Sequence, residues 1–266
     1  MGPALLFCPA DRPDRYAKAA ARADAVILDL EDAVAPDAKP SARRSLADIV
    51  LDPERTIVRV NAAGTDDLRE DLHALAATPY RTVMLAKASA ASDARELARY
   101  DVVALVETAA GVVHAASIAA APNVVALMWG AEDLVASLGG TSSRGSDGAY
   151  RSVAAHARST VLLAAGAFGR AAIDAVHLDL EDLDGLAAEA ADAVASGFAA
   201  TACLHPSQVP VVRAAYRPSD AEVRWAREVL AAAEGQRGAF RWDGKMVDGP
   251  ILRHAEHVLT RAGTAG

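Results

Sequence analysis

Two short acidic phrases could bind a divalent metal: Val106-Glu107-Thr108 and Trp129-Gly130-Ala131-Glu132-Asp133, each following a run of apolar β-forming residues. A carboxylate delivered at the C-terminal tip of each of two neighbouring strands supplies two hard oxygen ligands. Mg²⁺ commonly takes only one or two protein carboxylates and leaves its other positions to water and substrate oxygens. A 2-oxo acid, chelating through its carboxylate and its carbonyl, would complete such a site. Arg59, after Ile57-Val58, could offer a planar fork of donors to a carboxylate or to a developing enolate oxygen, or could pair with Glu31 or Glu107. Asp29, Glu31 and Asp32 could hold waters around the ion or pair with nearby cations. His205, in His205-Pro206-Ser207-Gln208, is an acid or base candidate, although ordinary capping explains it as well.

These residues must be positioned by the apolar runs before them. Eight segments are short, rich in Val, Ile, Leu, Phe or Met, and separated by Ala-rich helical stretches: about 4 to 8, 25 to 30, 56 to 60, 82 to 86, 102 to 106, 124 to 129, 172 to 178 and 200 to 204. Strand and helix alternating eight times predict an α/β fold, a (β/α)₈ TIM barrel, in which the chemistry sits on the loops after the strands. Every expected tip carries an ionisable group: Asp11-Arg12, Asp29-Glu31-Asp32, Arg59, Lys87, Glu107, Glu132-Asp133, His177-Asp179 and His205. Any one tip is unremarkable because chains surface there; eight together are harder to set aside.

The domain expectation is a catalytic barrel over 1–217 and a C-terminal helical and hairpin extension over 218–266, serving as lid or oligomerisation arm. That tail has a helix from about Ser219, its N-cap, through Glu234, a turn at Asp243-Gly244, and a last helix beginning near Pro250. The longest connection, about 130 to 171, is expected to hold a short helix from near Glu132 and then a flexible loop over Leu138–Gly145.

Composition narrows the classes. With 266 residues, 27 basic against 35 acidic and a net charge of −8, there is no basic patch of the kind nucleic acid requires. No stretch free of charges is long enough to span a bilayer, and the early first strand leaves no room for a signal peptide, so no membrane contact and a cytoplasmic location are expected. Cys8 and Cys203 read as core residues of a reduced protein. There is no Walker A pattern, no G-x-G-x-x-G opening a helix after strand one, no H-E-x-x-H and no G-x-S-x-G elbow. Lys87 could form a Schiff base in principle, but neighbouring carboxylates favour its charged form.

A longer set of phrases occurs in one order: Phe7-Cys8-Pro9-Ala10-Asp11-Arg12 with Lys18-Ala19, Ile27-Leu28-Asp29-Leu30-Glu31-Asp32-Ala33-Val34, Arg59-Val60-Asn61, Val106-Glu107-Thr108, Gly130-Ala131-Glu132-Asp133-Leu134, His205-Pro206-Ser207-Gln208 and Met246-Val247-Asp248. In this the chain resembles the citrate lyase β-subunit-like family of the HpcH/HpaI aldolase superfamily, most closely its stand-alone actinobacterial members. The resemblance spans nearly the whole chain. It implies cleavage or formation of a carbon–carbon bond in a 3-hydroxyacyl-CoA thioester, such as citramalyl-CoA or malyl-CoA, with acetyl-CoA and a 2-oxo acid as products. It implies Mg²⁺ on Glu107 and Asp133, and Arg59 with Gly130 and Ala131 at the substrate. It further implies CoA phosphates near Arg12 and Lys18, Asp248 as the proton-transfer residue, with Arg59 and Glu31 completing the catalytic set, and a homotrimer or hexamer. One departure stands out: Ala86-Lys87-Ala88-Ser89 replaces the family's Pro-Lys followed by an acid. Three other activities stay open: a CoA-independent 2-oxo-acid aldolase, a malate-synthase-like condensing enzyme, and a citrate lyase subunit working on an acyl carrier protein.

Overall fold

The computed structural model describes residues 1–264. Eight parallel strands close into a barrel in sequence order: β1 (Ala4–Pro9), β2 (Ala25–Asp29), β3 (Thr56–Val60), β4 (Thr82–Leu85), β5 (Asp101–Val106), β6 (Val124–Trp129), β7 (Ala171–Asp174) and β8 (Ala200–Cys203). Nine helices alternate with or follow them: α1 (Tyr16–Arg22), α2 (Lys39–Asp48), α3 (Asp66–Leu75), α4 (Ala91–Glu96), α5 (Ala109–Ala119), α6 (Ala131–Ser137), α7 (Ser152–Ala167), α8 (Leu183–Ser196) and α9 (Gln208–Tyr216). The expected TIM barrel is what forms.

Side chains alternate across a strand, so one parity fills the barrel and the other faces the helices. Leu5, Ile27, Ile57, Met84, Leu105, Met128 and Ile173 form the inner cluster, while Leu6, Cys8, Val26, Leu28, Val58 and Val106 pack outward with the helices. Two residues beyond Ile27, Ile57 and Leu105, the inward parity arrives at Asp29, Arg59 and Glu107. The pattern that fills the core therefore also aims these three side chains into the mouth. The β2–β3 register pairs Asp29 with Arg59, and the β5–β6 register pairs Val106 with Trp129.

Local signals fix the helix ends. Thr65 caps α3, Thr108 caps α5, Asp182 caps α8, and Gly197 closes α8 in the left-handed region at φ 108°. Both cysteines are buried and unpaired, and burial pushes the Cys8 thiol up to about 11 and the Cys203 thiol up to about 12, as expected of inert core residues.

Two expectations change. β7 stops at Asp174, so His177 and Asp179 lie in the loop beyond it; the Asp174 carboxylate accepts from its own neighbour, the Ala175 N–H, at 3.1 Å, and from Trp129 Nε1 at 2.6 Å. The sixth connection is a tied segment rather than a loose one, and it contains the 16-residue α7. Ser143 donates to Glu132, Arg144 pairs with Glu189 and lies 3.9 Å from the Tyr150 ring centroid, and Tyr150 packs edge-on against Trp129 at 5.0 Å.

The tail forms α10 (Asp220–Ala233), a hairpin of β9 (Phe240–Trp242) and β10 (Lys245–Val247), and α11 (Gly249–Thr264). Ser219 and Glu222 make a reciprocal capping box at the start of α10. Asp243 and Gly244 both have positive φ, 49° and 73°, as a type I′ hairpin turn requires. Ala226, Val229, Val247, Ala255 and Val258 give this segment a small core of its own. Residues 265 and 266, the end of the expected extension, lie outside the described residues. No helix of the described residues is long and apolar enough to cross a membrane.

Candidate metal and substrate site at the barrel mouth

The β2 and β3 tips meet in a closed ion-pair set. Arg59 gives Nε to Asp29 Oδ1 at 2.7 Å and Nη2 to Asp29 Oδ2 at 2.6 Å, while Nη1 reaches Glu31 Oε2 at 3.2 Å. The fork is thus taken up by Asp29, and only the Nη1 edge faces other partners. Phe7 lies beneath the guanidinium, 5.0 Å from its ring centroid. Burial opposes the charge on Arg59, but Asp29, then Glu31 and Glu107, outweigh it and hold the guanidinium above its ordinary range. Asp29 also accepts the N–H groups of Glu31 and Ala33, which shapes the loop that carries Glu31.

A second network holds this pair from behind. Asp71, on α3 and fully buried, accepts Asn61 N at 2.9 Å, Asn61 Nδ2 at 2.7 Å and Arg43 Nε at 2.8 Å. The Asn61 amide also donates to the Leu30 carbonyl and accepts from Lys39. Leu30 lies between Asp29 and Glu31, so Asn61 fastens the β3 tip to the loop that grips Arg59. Nothing in the sequence reading pointed to Asp71 or Lys39. Both sit in helices that look solvated, and their one available signal was Asn61 following Arg59-Val60.

The β5 and β6 side is different. Glu107 is 2 % exposed, and its described hydrogen bond is to the backbone N–H of Lys87, at 3.0 Å. Burial, and then the Asp133 charge, push its carboxyl up to about 8. Asp133, in the first turn of α6, is 40 % exposed at its side chain and has one described cation near it, Lys87 Nζ at 3.8 Å. Gly130 separates the two acids for a steric reason: a Cβ there would stand 2.8 Å from Glu107 Oε2 and 2.9 Å from Glu107 Cβ. Two like-charged carboxylates on adjacent strand tips, one buried without a full partner, fit a hard divalent cation. No group of three or more His, Cys, Asp or Glu placed to hold a metal occurs among the described residues, so the remaining ligand positions would fall to water or substrate.

Lys87 joins the two sides, its ammonium contacting Glu31 and lying 3.0 Å from Asp32. Burial favours the acid form of Glu31 and raises its carboxyl, against Arg59 and Lys87. Burial also opposes ionisation of Asp32, but Lys87 outweighs it and lowers that carboxyl.

The structure brings together Glu31, Arg59, Glu107, Gly130, Ala131 and Asp133. Arg12 is exposed and pairs with Asp14, and Lys18 is exposed on α1. His205 hydrogen-bonds Ser207 at 2.8 Å in the turn before α9, in the capping role weighed for it. Asp248 stands apart in its own chain. Its carbonyl accepts from Leu252 in the first turn of α11, and none of its described hydrogen bonds or ion pairs reaches the mouth. The far end of α11 lies at the foot of the barrel: Thr260 and Arg261 line a cavity of about 540 Å³ with Pro3, Asp24 and Tyr216. A groove of about 560 Å³ lies between α2 and α3, and neither cavity is lined by a mouth residue.

Residues 4–206 match the family model described as HpcH/HpaI aldolase/citrate lyase. A citrate lyase subunit beta-like protein of Mycobacterium tuberculosis is 64% identical over 264 residues, 99% of this chain and 97% of that protein. The crystal structure of protein CitE from M. tuberculosis in complex with magnesium, acetoacetate and coenzyme A superposes with a TM-score of 0.94 at 64% identity, covering 98% of each chain. Human mitochondrial citramalyl-CoA lyase is 31% identical over 97% of this chain and 85% of its own length.

Proposed function

We propose that this chain, which belongs to the HpcH/HpaI aldolase/citrate lyase family, is a Mg²⁺-dependent carbon–carbon lyase. Its substrate is a 3-hydroxyacyl-CoA thioester such as citramalyl-CoA or malyl-CoA, and its products are acetyl-CoA and a 2-oxo acid. The observation that carries this reading is the buried Glu107 carboxylate beside Asp133, raised by burial and like charge, opposite an arginine already locked in place. Support also comes from the ligands of the M. tuberculosis structure, magnesium, acetoacetate and coenzyme A, and from the citramalyl-CoA lyase named among the relatives.

Glu107 and Asp133 would hold the ion, which when bound supplies positive charge to the reacting oxygens. The rest falls to side chains. In the cleavage direction a carboxylate takes the proton of the 3-hydroxyl. We assign this to Asp248 of a neighbouring copy, because within one chain none of its described hydrogen bonds or ion pairs reaches the mouth. As the hydroxyl oxygen becomes the new carbonyl, the carbon–carbon bond breaks and its electrons pass to the acyl-CoA carbon as an enolate. The Nη1 edge of Arg59, fixed by Asp29, faces that negative charge, and fixed donors of this kind lower a barrier without reorganising. Protonation of the enolate carbon gives acetyl-CoA. Gly130 and Ala131, beside Glu107, line the substrate position. Glu31 holds Arg59 and Lys87, while Arg12 and Lys18 are exposed cations suited to CoA phosphates.

On this reading residues 1–217 are the catalytic barrel, and 218–266 are a lid shared between copies of a homotrimer or hexamer. Two unpaired cysteines suit a reducing cytoplasm. The test is an assay of the purified protein against citramalyl-CoA, malyl-CoA and 3-hydroxy-3-methylglutaryl-CoA, with Mg²⁺ and with EDTA. Magnesium-dependent release of acetyl-CoA with a 2-oxo or β-oxo acid is expected. Release of free CoA would instead mean thioester hydrolysis, and no turnover of any thioester would overturn the reading in favour of a carrier-protein substrate or a CoA-independent aldol.

A further inference from the structure

Lys87 has a geometry that a simple surface lysine would not need. Among the described residues it is one of two non-glycine residues with positive φ, at 53°; the other, Asp243, is required by its hairpin turn. A lysine in the left-handed region is strained, and such strain persists only where its surroundings hold it. Here they do. The Lys87 N–H donates to Glu107 Oε1 at 3.0 Å, and its carbonyl accepts from Ser89 Oγ at 2.9 Å. The twist sends the side chain across the mouth, where one ammonium contacts Glu31, lies 3.0 Å from Asp32 and stands 3.8 Å from Asp133.

The charges at the mouth give that placement a consequence. Five carboxyl groups gather there, Asp29, Glu31, Asp32, Glu107 and Asp133, against two cations, Arg59 and Lys87. Arg59 is locked by a buried bidentate pair. Lys87 is a point charge on a flexible stem whose side chain is 33 % exposed, so it alone of the two can move aside. It therefore stands where a divalent ion on Glu107 and Asp133 would feel it most.

We infer that Lys87 is a tethered counter-cation of the mouth. It competes electrostatically with the divalent ion for Asp133, one of the two acids that would hold it, so that the ion binds the free enzyme weakly and becomes firmly held only when a 2-oxo acid adds its own negative charge. This rests on the magnesium-dependent reading above, and it adds an order of events: metal and acid load together. A lysine that only stiffened the loop would act in the opposite sense, because its loss would loosen the Glu107 contact and weaken the metal.

The test is calorimetric titration of Mg²⁺, alone and with saturating pyruvate, into wild type, Lys87→Met and Lys87→Arg. The charge-removing variant is expected to bind Mg²⁺ alone about tenfold more tightly than wild type, an effect of the size that removing a nearby like charge produces. The gain that pyruvate brings should shrink in it, and Lys87→Arg should behave as wild type. Lys87→Gly removes the same charge while relieving the strained backbone, so it reports even if Lys87→Met does not fold. Equal or weaker Mg²⁺ binding in the charge-removing variants, with wild-type binding measurable, overturns the inference while the lyase reading stands. No Mg²⁺ binding by wild type even with pyruvate overturns both.

Discussion

The β2–β3 half and the β5–β6 half of the barrel mouth are built from the same residue types and end in opposite states. In the first, Asp29 and Glu31 are saturated by Arg59, and Asn61, Asp71, Lys39 and Arg43 close a second layer of hydrogen bonds behind them. In the second, Glu107 is equally buried yet has one described backbone donor, and Asp133 has only a distant lysine. Buried charges are normally paired, because an unpaired one is costly. One half is a finished structural clamp, and on the proposed reading the other is kept open for a cation from outside.

If the open half takes the metal, removing its buried ligand has the largest effect. Glu107→Gln should abolish Mg²⁺ binding by calorimetry and lower kcat/KM by about 10³-fold or more. On the closed half, Arg59→Lys keeps the charge but loses the fork. Turnover should fall by about 10²-fold, mainly in kcat, as when a fixed donor to developing charge is lost. Asp71→Asn touches neither reactant and breaks the support instead: a fall in unfolding free energy of about 3 kcal/mol is expected by chemical denaturation, with Mg²⁺ affinity little changed. Gly130→Ala crosses to the open half, where the added Cβ must displace Glu107. It should weaken Mg²⁺ about tenfold and lower stability by about 1–3 kcal/mol through overpacking; unchanged affinity would show that Glu107 is not held where this account needs it.

A further difference between the halves is read by pH. The Glu107 carboxyl is raised from 4.5 to about 8 in the folded, metal-free protein, so between those values the native state holds a proton that the unfolded state has lost. The contribution of this group to stability is fully present below about 4.5 and is lost as pH rises through about 8. Metal-free wild type should therefore lose stability over that window, and Glu107→Gln should lack this component when denaturation is measured across pH.

Much of this was legible in the sequence, for a periodic reason. Apolar runs of strand length announced all eight strands, and inward parity carried on from Ile27, Ile57 and Leu105 delivered Asp29, Arg59 and Glu107 to the mouth. What hid was what depends on contacts between distant segments. Asp71 in Asp-Asp-Leu-Arg-Glu-Asp-Leu looks like a solvated helix face, and only folding shows it fully buried against Asn61. The 138–145 loop, rich in Gly and Ser, reads as loose, although Ser143 and Arg144 tie it down, the latter also against Tyr150. The saturation of the Arg59 fork by Asp29 was equally hidden, since spacing alone cannot choose among Asp29, Glu31 and Glu107. Asp248 shows the reverse: only the family resemblance singled it out, and within one chain none of its described hydrogen bonds or ion pairs reaches the mouth.

The most direct test is a crystal structure of the protein grown with Mn²⁺ in place of Mg²⁺ and with pyruvate, the ion located by its anomalous scattering. The account predicts an ion liganded by Glu107 and Asp133 with pyruvate oxygens completing its shell, and Arg59 still bidentate on Asp29. An ion held instead by Asp29, Glu31 or Asp32, with Arg59 released, would contradict the division of the mouth into a closed half and an open one.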